Sequence, residues 1–132
     1  MISYKPIFID PAFECSRSDM VDLVWKKGRL DAYFLVPDDA HRLRVSFDQT
    51  ETFRVMDEMP LSTEEPHFDD EGLISDHFSY TVENTAFWNM QSEAFIACKP
   101  RMKHYRFITG RTCLDVLSDH EPLFKMVAIE SP

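Results

Sequence analysis

Between Asp57 and Glu93 the chain places ten carboxylates and two histidines, His67 and His77, with no lysine or arginine among them. Imidazole and carboxylate oxygen are ligands for zinc, iron and manganese. The segment PHFDDEGLISDH, residues 66–77, therefore poses a metal reading in which His67 and His77 act with Asp69, Asp70 and Asp76. The spacing is poor for it. No H-E-x-x-H sets two histidines on one helical face, and no D-x-D-x-D-G loop with a distant glutamate offers a calcium site. Paired carboxylates could serve as general acid and base, but one of such a pair must be desolvated, and these lie in runs with prolines and small polar residues. His104 beside Tyr105 could face Cys113 across a hairpin as base and thiol. Against that, Tyr105, Phe107, Cys113 and Val116 read as alternating sheet residues. No G-x-S-x-G, G-x-x-x-x-G-K-[ST] or G-x-G-x-x-G occurs, and three glycines in 132 residues leave little for a phosphate cradle. No catalytic residue, metal or cofactor is assigned.

The charge is more informative than the motifs. Its total is −9, which disfavours nucleic acid and anionic membranes, both of which need lysine and arginine at the contact. Residues 1–54 carry −1, residues 55–98 carry −10 and residues 99–132 carry +2. A negative surface of that density raises association rates with a basic partner and loses the effect in salt. Its simplest alternative is a solvated acidic loop at about 57–72.

The elements that position these residues read mainly as strands. Apolar runs flank Lys27-Gly28 as a hairpin would, giving strands near 21–26 and 31–36; a helix over Ser16 to Val24 is the rival there. HRLRVSF and TFRVM alternate, predicting a hairpin about Asp48-Gln49 with Arg42, Arg44 and Arg54 on one outward face, either solvated or paired with the acidic segment. Pro60 and Pro66 predict extended chain between them. A strand is centred on FSYTV, and Asn84 is placed to cap a helix over TAFWNMQSEAF. HYRFIT, TCLDVLS and PLFKMVAIE close the sheet. The expectation is one α+β domain over residues 1–132: a mostly antiparallel sheet of six to eight short strands, with one or two helices as a single layer on it. Cys15, Cys98 and Cys113 are odd in number with no C-x-x-C pair, so reduced thiols and a cytoplasmic location follow. No apolar run approaches the length of a membrane span, and the N-terminus has no signal-peptide pattern.

SYTVENTAFWNMQSEAF and HYRFITGRTCLDVLSDHEPLF, about 50 residues together, resemble the C-terminal part of small bacterial immunity-type proteins associated with polymorphic or contact-delivered toxins. The resemblance concerns the framework and carries no functional residue. It implies a non-enzymatic inhibitor that occludes a cognate toxin, with the acidic segment meeting a basic active-site cleft. On that reading Asp57, Glu58, Glu64, Glu65, Asp69, Asp70 and Glu71 steer and rim the contact and Phe68 anchors it. The alternatives are a small metal-dependent enzyme using His67 and His77 with nearby carboxylates, and an acidic adaptor for a basic protein.

Overall fold

The computed structural model describes residues 1–9, 14–57, 60–61, 64–65 and 70–129. Among them are ten strands in two sheets, with two short helices. In chain order these are β1 (Ile2–Pro6), a single 3₁₀ turn (Cys15–Arg17), β2 (Met20–Lys26), β3 (Arg29–Leu35), β4 (His41–Phe47), β5 (Thr52–Asp57), β6 (Asp70–Glu71), β7 (Ser79–Glu83), α1 (Ala86–Asn89), α2 (Glu93–Cys98), β8 (Lys103–Ile108), β9 (Thr112–Ser118) and β10 (Leu123–Ala128). The mostly antiparallel, strand-rich expectation holds. The single sheet does not: the strands divide into a six-stranded sheet, β5-β9-β8-β7-β1-β6, and a four-stranded sheet, β10-β4-β3-β2.

Local chemistry explains most of the elements. Lys27 and Gly28 both adopt positive φ, 54° and 84°, the requirement of a tight two-residue hairpin turn, so β2 and β3 pair from Lys26↔Arg29 onward. The predicted β4–β5 hairpin is absent. Thr50 N–H donates to the Gly28 carbonyl at 2.7 Å, Glu51 N–H donates to the Leu117 carbonyl at 2.9 Å, and the Ser118 hydroxyl donates to the Gln49 carbonyl. These bonds carry the chain out of one sheet and into the other. Arg42 and Arg44 consequently share no face with Arg54.

The two sheets pack face to face. Leu30, Ala32, Phe34, Leu43, Val45 and Phe47 from β3 and β4 meet Phe78, just before β7, and Tyr105, Phe107, Leu114 and Val116 from β8 and β9. Phe34 and Phe78 stack edge to face at 4.8 Å. Each such ring or branched chain buried contributes about 1.5–3 kcal/mol. A smaller cluster, Phe87, Met102 and Leu117 with Trp88, Phe95 and Ile96, involves both helices.

The predicted long helix is two. Thr85, one residue beyond the expected cap, accepts from Trp88 N–H at 3.1 Å, while Asn84 turns through φ 64°. Ser92 then accepts from Phe95 N–H at 3.1 Å and starts α2. Met90, in the break between the two caps, is 64% exposed, whereas Phe87 is buried. The rival helix over residues 16–24 is displaced by β2. In the acidic segment Pro60, Leu61 and Glu64 have helical backbone and Glu65 N–H donates to the Leu61 carbonyl at 2.8 Å, which corrects the expected extended loop at those positions; proline fits a first helical turn because its missing N–H would be unpaired there.

Gly72 closes β6 with φ 88°, and a Cβ on it would lie 2.0 Å from the Tyr4 carbonyl oxygen. At Gly28 the nearest atoms, at 2.8 and 2.9 Å, belong to the end of the flexible Gln49 side chain. Urea unfolding should therefore show Gly28→Ala costing about 1–2 kcal/mol, the left-handed backbone penalty alone. Gly72→Ala should cost about 3 kcal/mol or more, because backbone strain adds to it.

Candidate functional site

The face of the six-stranded sheet turned away from the sandwich core carries charge in register. Tyr80 on β7 lies opposite Arg106 on β8, Arg106 opposite Asp115 on β9, and Asp115 opposite Arg54 on β5. One step along, Tyr4, Val82, His104 and Leu117 form a parallel row. Arg106 and Asp115 are wholly buried. An unpaired charge there would cost several kcal/mol.

The pairing is complete. Arg106 donates from Nε to Asp115 Oδ1 (2.7 Å), from Nη1 to Tyr4 Oη (2.8 Å) and Glu65 Oε1 (2.6 Å), and from Nη2 to Glu65 Oε2 (3.0 Å) and Asp115 Oδ2 (3.5 Å). Those contacts match the five N–H groups of a guanidinium. Arg54 donates from Nε to Asp115 Oδ2 (3.2 Å) and clamps Glu64 with both terminal nitrogens (3.1 and 2.5 Å), its guanidinium 4.4 Å above the Phe87 ring. Glu65 Oε2 also accepts from Ala86 N–H at 3.3 Å, tying the network to the start of α1. With His104 neutral, two cations meet three anions.

Burial pulls the His104 pKa down from 6.5 even though Asp115 lies beside it. The neutral ring then donates from Nε2 to Asp115 Oδ1 (2.6 Å) and accepts at Nδ1 from the Thr85 hydroxyl (2.7 Å). Burial raises the Asp115 pKa, but the His104 hydrogen bond and the Arg106 charge outweigh it and hold the carboxyl well below the usual range. Burial pushes the Tyr4 phenol up to about 12.

Thr85, His104 and Asp115 thus line up hydroxyl, imidazole and carboxylate as a hydrolytic triad does. The hydroxyl is not available for attack: Thr85 is 0% exposed, and its oxygen caps Trp88 N–H. A cavity of about 390 Å³ lies beside His104, lined also by Lys5, Glu83, Trp88, Met102 and Lys103, with Lys5 and Glu83 ion-paired at 2.8 Å. The proposed thiol–base pair is not formed, since both His104 nitrogens are committed. Burial and then the Asp115 charge drive the Cys113 thiol pKa up.

Of the residues expected at a contact surface, two are taken up in ion pairs, one of them buried. Glu65 is 3% exposed and held by Arg106, and Glu64, half-buried, is clamped by Arg54. Of the three arginines read as one strip, Arg54 alone pairs with the acidic segment among the described residues. Asp57 is exposed at the end of β5, Asp70 is half-buried and Glu71 exposed on β6. β5 and β6 are the two edges of the sheet, about 24 Å apart at some 4.8 Å per strand, so these carboxylates do not gather at one spot. Glu58, Phe68 and Asp69 lie outside the described residues.

His67 also lies outside them. His77 Nε2 is 2.9 Å from the Ile7 carbonyl, and Asp76 accepts from Ser16 N–H and Oγ, contacts that hold its carboxyl below the usual range against partial desolvation. Among the described residues no three His, Cys, Asp or Glu side chains group closely enough to hold a metal ion, and no helix is long and apolar enough to cross a membrane.

Sequence reasoning missed Arg106, Asp115, Tyr4 and Thr85. A signal for Asp115 existed: in TCLDVLS apolar residues occupy both parities around the aspartate, the mark of a strand buried on both faces, where a carboxylate must be paired. The fold and network define the chain as a strand-rich α+β protein of two packed sheets with a buried ionic lock. No family model, curated protein or solved structure matches it.

Removing one partner of the lock should cost about 3–5 kcal/mol, so Glu65→Ala should sharply lower the urea midpoint, while Glu65→Leu combined with Arg106→Met should cost much less than the two changes summed. Acid should act through both shifted groups. Above pH 6.5 His104 is neutral folded and unfolded; below it the unfolded ring takes up a proton the folded ring refuses, so stability falls. Asp115 contributes stability above its ordinary value of 3.8 that is lost as pH drops through its lowered folded value. Thermal unfolding from pH 8 to about 5 should show a decline that His104→Gln flattens.

Proposed function

We propose that the chain is a non-enzymatic binding protein acting in the cytoplasm, an immunity-type inhibitor that neutralises a cognate bacterial toxin by occupying a basic cleft. The observation that carries the reading is the pinning of the acidic segment at its middle. Glu64 and Glu65 are consumed by Arg54 and Arg106, and the carboxylates on either side in sequence, Asp57 and Glu58 before them and Asp69, Asp70 and Glu71 after, have no lysine or arginine among them. A charged segment tied down at its centre loses less conformational freedom on docking than a free loop. Phe68 remains the aromatic candidate within it. The commitment of Thr85, His104 and Asp115 to structural bonds supports binding over catalysis. A hydrolytic reading rests on that same array and requires α1 to lift from the sheet.

The test uses the purified product of an adjacent toxin-like gene. Asp57→Lys with Glu71→Lys should slow association about tenfold at low ionic strength and flatten its salt dependence, while Thr85→Ala, checked for folding, should leave inhibition intact. Unchanged association rates would remove the acidic segment from the interface, and loss of function in folded Thr85→Ala would favour the enzyme.

A further inference from the structure

The outer face of the four-stranded sheet assembles charge of the opposite sign. Lys125 on β10 stands directly opposite Arg44 on β4, and Arg44 stands opposite Tyr33 on β3. Two residues along β4, Arg42 lies between Val127 and Leu35. Opposed side chains on a sheet have Cβ atoms about 4.5–5.5 Å apart, and alternate residues of a strand about 7 Å, so three cations occupy one small triangle.

None of the three forms an ion pair among the described residues. Among the described residues Arg42 donates only to the His41 carbonyl, at 3.0 Å. On the neighbouring strands Asp31 accepts from the Ser46 hydroxyl (2.6 Å) and Arg29 (3.3 Å), and Asp22 accepts from Leu23 N–H (2.9 Å). Arg44 Nε is sealed from solvent with no acceptor, a cost that a buried donor ordinarily avoids. Like charges directly opposed on a sheet are destabilising as well. The free protein carries both costs, and an anion seated between Arg44 and Lys125 would relieve both.

We propose that this face docks a short acidic segment of a partner protein, its carboxylates on Arg42, Arg44 and Lys125 and its apolar side chains on Tyr33, Leu35 and Val127. The mixture of cations with half-buried aromatic and aliphatic side chains suits carboxylates interleaved with apolar residues. A long polyanion such as nucleic acid fits less well, because phosphates beyond the triangle would meet a chain of net charge −9. The face belongs to the sheet that contains neither β5 nor β6, and the proposal stands whether or not the toxin reading holds.

Fluorescence anisotropy with a short labelled peptide of alternating glutamate and leucine tests it, against a lysine–leucine peptide and a single-stranded oligothymidylate. The glutamate peptide should bind the full chain in a salt-dependent manner, and Lys125→Met or Arg44→Met should weaken it about tenfold or more, with Lys103→Met as a control that leaves it unchanged. Lys125 is exposed, and Lys125→Met should raise the Tm of the free protein by about 1–3 °C by removing the opposed charge. Failure of the glutamate peptide to bind, equal binding of the lysine peptide, tighter binding of the oligothymidylate, or indifference to Lys125→Met would each overturn the proposal.

Discussion

A guanidinium with no access to water must find an acceptor for every N–H it owns, and Arg106 organises this protein around that demand. Its register on β8 sets Asp115 beside it, but one carboxylate covers only part of the fork. Tyr4 from β1 and Glu65 from the acidic segment supply the remainder. Residues far apart in sequence, 4, 65, 106 and 115, are thereby fixed to one point on the outer face of the six-stranded sheet.

The consequences spread through shared atoms. Asp115 serves Arg106, Arg54 and His104; His104 holds Thr85, which caps α1; Glu65 reaches the first amide of that helix. Buried ion pairs often add little net stability compared with apolar side chains of the same shape. Their effect here is selection: an arrangement that misplaces Glu65 or shifts β8 against β9 strands charges where water cannot reach them. Sheet order gives this weight, because β5 and β6 sit at opposite edges and the intervening segment must connect them. Glu64 and Glu65 fasten it midway.

Patterns governed by neighbours in sequence were legible. The Lys27-Gly28 hairpin, the inward set Leu43, Val45 and Phe47, and the strands over HYRFIT and TCLDVLS follow from turn chemistry and alternation, and the structure has them. Partition between sheets was not legible, since it depends on bonds such as Thr50 to Gly28 that no local pattern announces. The acidic segment was misjudged for a related reason. Glu64-Glu65 followed by proline looks like solvated chain, and composition does not reveal that two arginines, 11 residues before Glu65 and 41 after it, need its charge. Arg106 itself alternates with Tyr105 and Phe107 like any outward residue; only the burial of both faces of β8 makes it an internal cation.

Arg106 and His104 are rigid internal groups rather than parts of an exposed or mobile site. Nitrogen-15 NMR of the side chains at neutral pH tests it most directly. Rigid burial of both groups gives a slowly exchanging Arg106 Nε–H resonance and a neutral His104 carrying its proton on Nε2. An Arg106 Nε–H that exchanges as fast as that of free arginine, or a His104 ring protonated at neutral pH, would contradict it.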